Sequence, residues 1–411
     1  MSTRHSAFFE VPPTAGLPPR FSDLLPFAGP SLAAQAAQFL GVDEVQIECS
    51  GTAALVVALT ALKRRSPRTS VIVPAYTCPL VAIAVAHCGL KLRLCDLLPG
   101  GIDMDPAALA ALCDDDTLAI VPTHLAGRIA DVDTAIACAR GVGAWVIEDA
   151  AQALGARRGD AMIGTQGDIG FFSLAVGKGL TTYEGGLLIA RDAQLRTELR
   201  RCSADIVPFS ATWEIKRSLQ LFGYYAFYRP AGLPFVYGMP RRRALRAGDE
   251  TGAVGDDFSL SIPLHRLGAW RQSIGAREFP RLRGFQHSLE EQAHRRCARL
   301  AQISGLKVLQ DVGDTHGTWP FLLLLMPSRE LRDAALAELW TTNLGVSRLF
   351  IHALPDYDYL AAIVPKADVP NARDFAARML TISNSAWLDD AAFERVAATL
   401  HDLLSGTRVG S

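Results

Sequence analysis

The chain has 411 residues, 49% of them hydrophobic, enough for a large core and for two or three domains' worth of chain. A formal net charge of -1 removes any global electrostatic case for nucleic-acid binding, and 20% charged residues is the composition of an ordinary folded enzyme rather than a disordered chain. The eight cysteines (Cys49, Cys78, Cys88, Cys95, Cys113, Cys138, Cys202 and Cys297) form no C-x-x-C pair and lie mostly in apolar runs. They read as reduced core thiols, which predicts a cytoplasmic protein, and neither they nor the nine histidines cluster at zinc-ligand spacing, so no metal site is predicted. The opening MSTRHSAFFEVPPT lacks an apolar stretch of signal-peptide length, and no uninterrupted apolar run approaches ~18 residues, so no transmembrane segment is predicted.

In chain order, residues 1–29 are rich in Pro and Phe and predict an extended arm. Residues 30–192 alternate short β runs with amphipathic helices. The β runs are VQIEC (45–49), SVIVP (70–74), KLRLCD (91–96), LAIVPT (118–123), AWVIED (144–149), IGFFSL (169–174) and GGLLIA (185–190). The intervening helices fall at 53–65, 79–89, 105–115 and 132–143. This alternation predicts a mostly parallel sheet covered on both faces, and continuous apolar runs such as LAIV and WVI agree. Residues 193–260 break the rhythm with aromatics, prolines and the basic run RRRALR. Beyond about 265 the pattern is α+β: a helix over 278–304, a strand at 321–327, a helix at 329–343 and a last one near 391–404. The predicted organisation is an arm (1–29), a large α/β domain (30–260) and a smaller C-terminal α+β domain (261–411).

Ligands of open parallel sheets collect at the carboxyl ends of the strands. Four polar places occur there. Ser50-Gly51-Thr52-Ala53 opens a helix, whose free N–H groups and dipole suit a phosphate; an N-cap by Ser50 or Thr52 explains the same letters. Asp149 ends a buried strand, where a carboxylate is costly unless it meets a cation such as a protonated pyridine nitrogen; an N-cap is again the alternative. Gln152, three residues on, can reach a neighbouring ring substituent. Ser173 and Lys178 leave a strand for a Gly-rich loop, where a lysine can form a Schiff base and move protons, or can simply be a solvated loop residue. Tyr76, after the strand SVIVP, suits either stacking on a ring or packing.

Taken together and in this order, SGTAAL, VIVPAYT, PTHLAGRIADVD, VIEDAAQALGA, GTQGDIGFFS and GKGLTTYEGG resemble the DegT/DnrJ/EryC1/StrS family of sugar aminotransferases, with fainter echoes in GVSRLFIHALPDY and ARMLTISNSAWLDD. The resemblance runs over roughly residues 30–400. It implies a fold-type I architecture related to aspartate aminotransferase, with pyridoxal 5'-phosphate as cofactor and a homodimer. It implies that Lys178 carries the cofactor and moves protons, Asp149 faces the pyridine nitrogen, Gln152 lies by the ring oxygen, and Thr52, Ala53 and Ser173 hold the phosphate. It implies amino transfer from an amino acid, by analogy glutamate, to a nucleotide-linked keto sugar, or to a keto-cyclitol. Rival expectations on the same scaffold are a sugar dehydratase, in which a His replaces the lysine, and a non-catalytic regulatory member; Lys178 and Asp149 are present here.

The chain departs from the family pattern at two places. Cys78 stands where an aromatic often stacks on the ring, and DDFSLSIPLHRLGAW (256–270) lacks the Asn of a Gly-x-Asn-x-Arg segment that reaches the neighbouring subunit's phosphate. The pattern is weakest over 213–246. There Trp213, Phe222, Tyr224, Tyr225, Phe227, Tyr228, Phe235 and Tyr237 mix with Lys216, Arg217, Arg229, Arg241, Arg242, Arg243 and Arg246, against the single acid Glu214. Three surfaces suit this mixture: a dimer or interdomain surface, an arginine grip on a pyrophosphate-linked substrate, and a peripheral contact with anionic lipid.

Overall fold

The computed structural model describes residues 9–25 and 28–406. The first half builds β1 (Gln46–Glu48), β2 (Ser70–Pro74), β3 (Lys91–Cys95), β4 (Thr117–Ile120), β5 (Trp145–Asp149), the short β6 (Arg157–Arg158) and β7 (Ala161–Met162), then β8 (Ile169–Ser173) and β9 (Gly186–Ala190). The second half adds β10 (Lys307–Val308), β11 (Thr315–His316), β12 (Phe321–Leu325), β13 (Val346–Ser347) and β14 (Met379–Ser383).

All seven β runs of the sequence enter one sheet, in the order β1-β9-β8-β5-β4-β2-β3. Neighbours from β8 to β3 are parallel, and only β9 runs antiparallel to both its partners. The fold is thus α/β with a mostly parallel central sheet. Strands β2, β4 and β9 are buried at every position, as two covered faces require. The crossover helices start where local chemistry permits: Ser50 caps Gly51–Arg65, Asp131 caps Val132–Val142, and Pro79, whose missing N–H costs nothing in a first turn, opens Pro79–His87.

The second half forms an antiparallel sheet, β10-β12-β14-β13. Its β11 pairs with β6 of the first half, and one core runs from Leu55, Leu59 and Val73 to Phe350, Phe375 and Met379. The long helix expected over 278–304 is Leu282–Leu300, preceded by Ala269–Glu278 and a tight turn at Phe279–Arg281. Pro280 marks that turn, because its nitrogen cannot donate to a continuing helix.

Of the expected arm, residues 1–8 and 26–27 lie outside the described residues. Residues 9–25 lie against the body, with Val11, Ala15 and Leu17 buried. The N–H groups of Glu10, Val11, Ala15 and Leu17 donate to the carbonyls of Pro230, Asn343, Pro320 and Gly179. The arm therefore joins distant parts of the chain.

Residues 211–246 form a helical hairpin, Ala211–Phe227 followed by Pro234–Gly238 and Met239–Arg246. It corrects one expectation. Arg241 is buried and donates to Glu10 at 2.8 Å and to the Thr342 carbonyl at 3.0 Å, while Arg242 donates to Glu10 at 2.7 Å. Their charge is spent on a buried carboxylate, so these two arginines are not free to grip a pyrophosphate.

Candidate active site

The carboxyl ends of β2, β5 and β8 and the start of Gly51–Arg65 converge on a cavity of about 340 Å³, within the usual range for small-molecule sites. Thr52, Thr77, Cys78, Asp149, Gln152, Ser173 and Lys178 all line it. The two-residue period of a strand decides which neighbours face it. On β5, Asp149 points in, while Glu148 is turned away and accepts from the N–H groups of Gly164, Gln166 and Gly167 at 2.9, 2.6 and 2.6 Å. On β8, Phe171 and Ser173 point in and Phe172 packs into the opposite core.

Lys178 sits on the loop 174–185. The loop is closed at its neck by Leu174 N–H donating to Gly185 O at 2.7 Å and Thr182 N–H to Leu174 O at 3.0 Å. Gly177, with φ of 83°, makes the turn into the lysine. The arm holds one side through Leu17 N–H on the Gly179 carbonyl at 3.0 Å. Arg271, fully buried, holds the other by donating to the carbonyls of Glu184 at 2.8 Å and Thr182 at 3.4 Å. A second cavity, of about 160 Å³, shares Gln152, Ser173 and Lys178 with the first and is lined by Thr14 and Ala15 of the arm.

Burial sets the electrostatics. It lowers the Lys178 ammonium from its ordinary range, and the nearby Asp149 carboxylate opposes this only in part. It raises the Asp149 carboxyl, against the Ala151 N–H that donates to it at 3.0 Å and the nearby Lys178 and His124. Burial also pushes the Cys78 thiol up to about 12, so it stays protonated and presents a neutral surface. Asp149 is fixed through its backbone: its carbonyl accepts from His124 N–H, and its N–H donates to Pro122 O, both at 2.9 Å.

Of the two readings open for Tyr76 the structure shows packing, and the expectation for Ala53 needs correction. Tyr76 does not face the cavity. Its ring packs edge-on against Phe350 and Phe375, and its hydroxyl donates to Phe350 O at 2.9 Å and accepts from Phe350 N–H at 3.0 Å. It is a packing residue that fixes the far wall. Ala53 is also outside the lining, and its N–H already donates to Ser50 Oγ at 3.0 Å, because Ser50 is the N-cap. The Asp149 carboxylate caps no helix, since Ala150–Ala156 forms turns.

Other lining residues were not singled out from the sequence. His124 follows β4 inside the quoted PTHLAG. Its Nδ1 accepts from Ala130 N–H at 3.1 Å, which leaves Nε2 to donate to Glu148 at 3.0 Å. Burial alone would raise Glu148, but His124 and the backbone donors outweigh it and hold that carboxyl below its ordinary range. Asp256, Leu349 and Phe350 arrive from the second half. Asp256 accepts from Ile351 N–H at 2.7 Å and Tyr357 hydroxyl at 2.8 Å, and burial pushes its carboxyl up to about 6.

Two observations fit a phosphorylated pyridine aldehyde. The first is a cradle: a Cβ on Gly51 would meet Ser173 Cβ at 3.1 Å, so the helix start passes closely over Ser173, and a larger residue would press on that wall. The second is the donor set. An amine driven toward its neutral form and a buried carboxylate lacking a full cationic partner face the same cavity. Gln152 is oriented as well, since Ala126 N–H donates to its Oε1 at 2.7 Å and leaves the amide NH₂ for another acceptor.

The fold is that of the fold-type I pyridoxal-phosphate-dependent transferases. Over 97% of this chain and 100% of the other, it superposes on Helicobacter pylori PseC, an aminotransferase involved in the biosynthesis of pseudoaminic acid, with a TM-score of 0.76 at 16% identity. The model of the DegT/DnrJ/EryC1/StrS aminotransferase family matches residues 30–222. The spore coat polysaccharide biosynthesis protein SpsC of Bacillus subtilis (strain 168) is 28% identical over 90% of this chain and 88% of its own length. The GDP-perosamine synthase of Caulobacter vibrioides is 38% identical over 40% of this chain and 44% of its own, so that match spans less than half of the relative. Over residues 30–222 the chain is therefore similar to the DegT/DnrJ/EryC1/StrS aminotransferases, and over nearly its whole length it shares their fold.

Proposed function

We propose that this chain moves the amino group of an amino acid, glutamate, to the carbonyl carbon of a nucleotide-linked keto sugar. The observation that carries the reading is that Lys178 and Asp149, from different strand ends, line one cavity beside the helix start at Gly51. Bound there, pyridoxal phosphate supplies an electron sink and a carrier for the nitrogen. Thr52 and Ser173 hold its phosphate at the helix N-terminus. The Asp149 carboxylate would keep a proton on the ring nitrogen, and the Gln152 amide, oriented by Ala126, would donate to the ring oxygen. Lys178 is the residue that would hold the group, through its Nζ. Its Nζ takes a proton from the α-carbon of the donor, then delivers one to the carbonyl carbon of the acceptor. Cys78, protonated and uncharged, would offer the group a neutral cavity wall where an aromatic is often found.

The presence of Lys178 favours amino transfer over dehydration. The test offers keto-sugar nucleotides and keto-cyclitols with glutamate to the purified enzyme and reads products by mass. A product heavier by the exchange of oxygen for an amino group, absent with Lys178→Ala, supports the proposal. Turnover by Lys178→Ala at the wild-type rate removes it, and a product from cyclitols alone moves the acceptor class.

A further inference from the structure

Beyond the amino-transfer site, one surface is built unlike the rest. On the helix Ala211–Phe227 the inward face carries Leu221, Tyr224 and Tyr225, which pack with the C-cap Tyr228, Leu233 and Ile274. The outward face is apolar as well. Ile215, Leu219 and Phe222 are 62%, 68% and 54% exposed, at the i, i+4, i+7 spacing of one helical stripe. The second arm of the hairpin adds Phe235 and Val236, 51% and 53% exposed, together with Met239. The N-terminal segment extends the patch: Leu24 packs under the hairpin, and exposed Phe21 lies beneath the Arg229 guanidinium, 5.0 Å from its ring centre. Exposed apolar side chains concentrated in one short stretch of chain mark a candidate interaction site.

The charges choose the occupant. Lys216, Arg229, Arg243 and Arg246 are exposed on this hairpin. Its one acid, Glu214, is turned inward onto Arg271, with Arg271 Nη2 donating to it at 2.6 Å. The next carboxylates are also engaged: Asp249 caps a helix, and Glu250 pairs with Arg348 at 2.8 Å. A second copy of this chain docked on the face by a two-fold axis would set four cations against four cations. An anionic lipid surface complements both features, because the apolar ridge enters the acyl boundary while the cations meet headgroups. No described helix is long and apolar enough to cross a membrane, so the contact is in the plane of the surface.

We propose that the hairpin 211–246, with Phe21 and Leu25, is a monotopic docking face for anionic phospholipid. The holoenzyme is floated with vesicles of phosphatidylcholine and phosphatidylglycerol in equal parts, and with vesicles of phosphatidylcholine alone. Flotation with the anionic vesicles only, weakened by salt, is expected. The triple variant Leu219→Ser, Phe222→Ser, Phe235→Ser should lose it, and Arg243→Gln with Arg246→Gln should weaken partitioning roughly 30-fold, about fivefold per cation. These side chains are exposed, so circular dichroism, cofactor absorbance and amino transfer should be unchanged. Failure of the wild type to float, or flotation retained by both variants, overturns the proposal. It is equally overturned if the triple variant changes the oligomeric state in sedimentation, which would give the face to a second copy.

Discussion

Arg271 donates to the Glu184 carbonyl at 2.8 Å from a guanidinium that also grips the Glu214 carboxylate, with Nε–Oε1 at 3.0 Å and Nη2–Oε2 at 2.6 Å. One buried side chain thus ties the docking hairpin, through Glu214, to the loop that carries Lys178. Arg271→Leu leaves Glu214 with an uncompensated charge and frees the loop. Chemical denaturation should show a loss of about 3–5 kcal/mol, the usual size when one partner of a buried pair is removed. Titration with pyridoxal phosphate should show weaker cofactor retention. Adding Glu214→Leu should restore part of the stability and none of the retention.

Asp149→Asn keeps the shape of the side chain and removes its charge. Turnover should fall roughly 100-fold or more, the size of losing one preorganised electrostatic group. Cofactor occupancy, read by absorbance, should fall far less, because the proposed phosphate grip at Thr52 and Ser173 is untouched. Equal losses in turnover and occupancy would assign Asp149 to cofactor binding rather than to the electron sink.

Glu278 is buried beside Tyr225, whose hydroxyl donates to it, and burial pushes its carboxyl up to about 8 from an ordinary 4.5. In the folded chain the carboxyl therefore keeps its proton to higher pH than in the unfolded chain. Its contribution to stability falls as pH rises from about 4.5 through about 8. Glu278→Gln removes that slope. The melting temperature of the variant relative to wild type should be higher at about pH 8 than at about pH 5, as measured by thermal unfolding. An identical difference at both values would show that this carboxyl does not titrate in the window.

Glu10 holds two guanidiniums at once, Arg241 at 2.8 Å and Arg242 at 2.7 Å. Glu10→Ala leaves both without their carboxylate, and a loss of about 3–5 kcal/mol is expected in denaturant midpoints. The arm also reaches the lysine loop through Leu17 and Gly179, so cofactor release should be faster in the same variant. Unchanged release would mean that Leu17 stays seated without the Glu10 anchor.

Much of this protein was legible in the order of its residues. The alternation of apolar runs and amphipathic stretches determined the central sheet, because strand and helix periods are written within about ten neighbouring residues. The same text carried Thr52, Asp149, Gln152, Ser173 and Lys178, since each lies at, or within a few residues of, a strand end or helix start at the sheet edge where ligands gather. Facing and partnership were decided only by the tertiary structure. Nothing local distinguishes Cys78, which lines the cavity, from Tyr76 two residues earlier, which packs on Phe350 some 274 residues away. Nothing near RRRALR shows that Arg241 is taken by Glu10, 231 residues before it, or that Asp256 and Leu349 complete a wall begun at residue 51. Those outcomes depend on which distant surfaces the topology brings together, and burial then sets the cost of each charge according to the partner it finds.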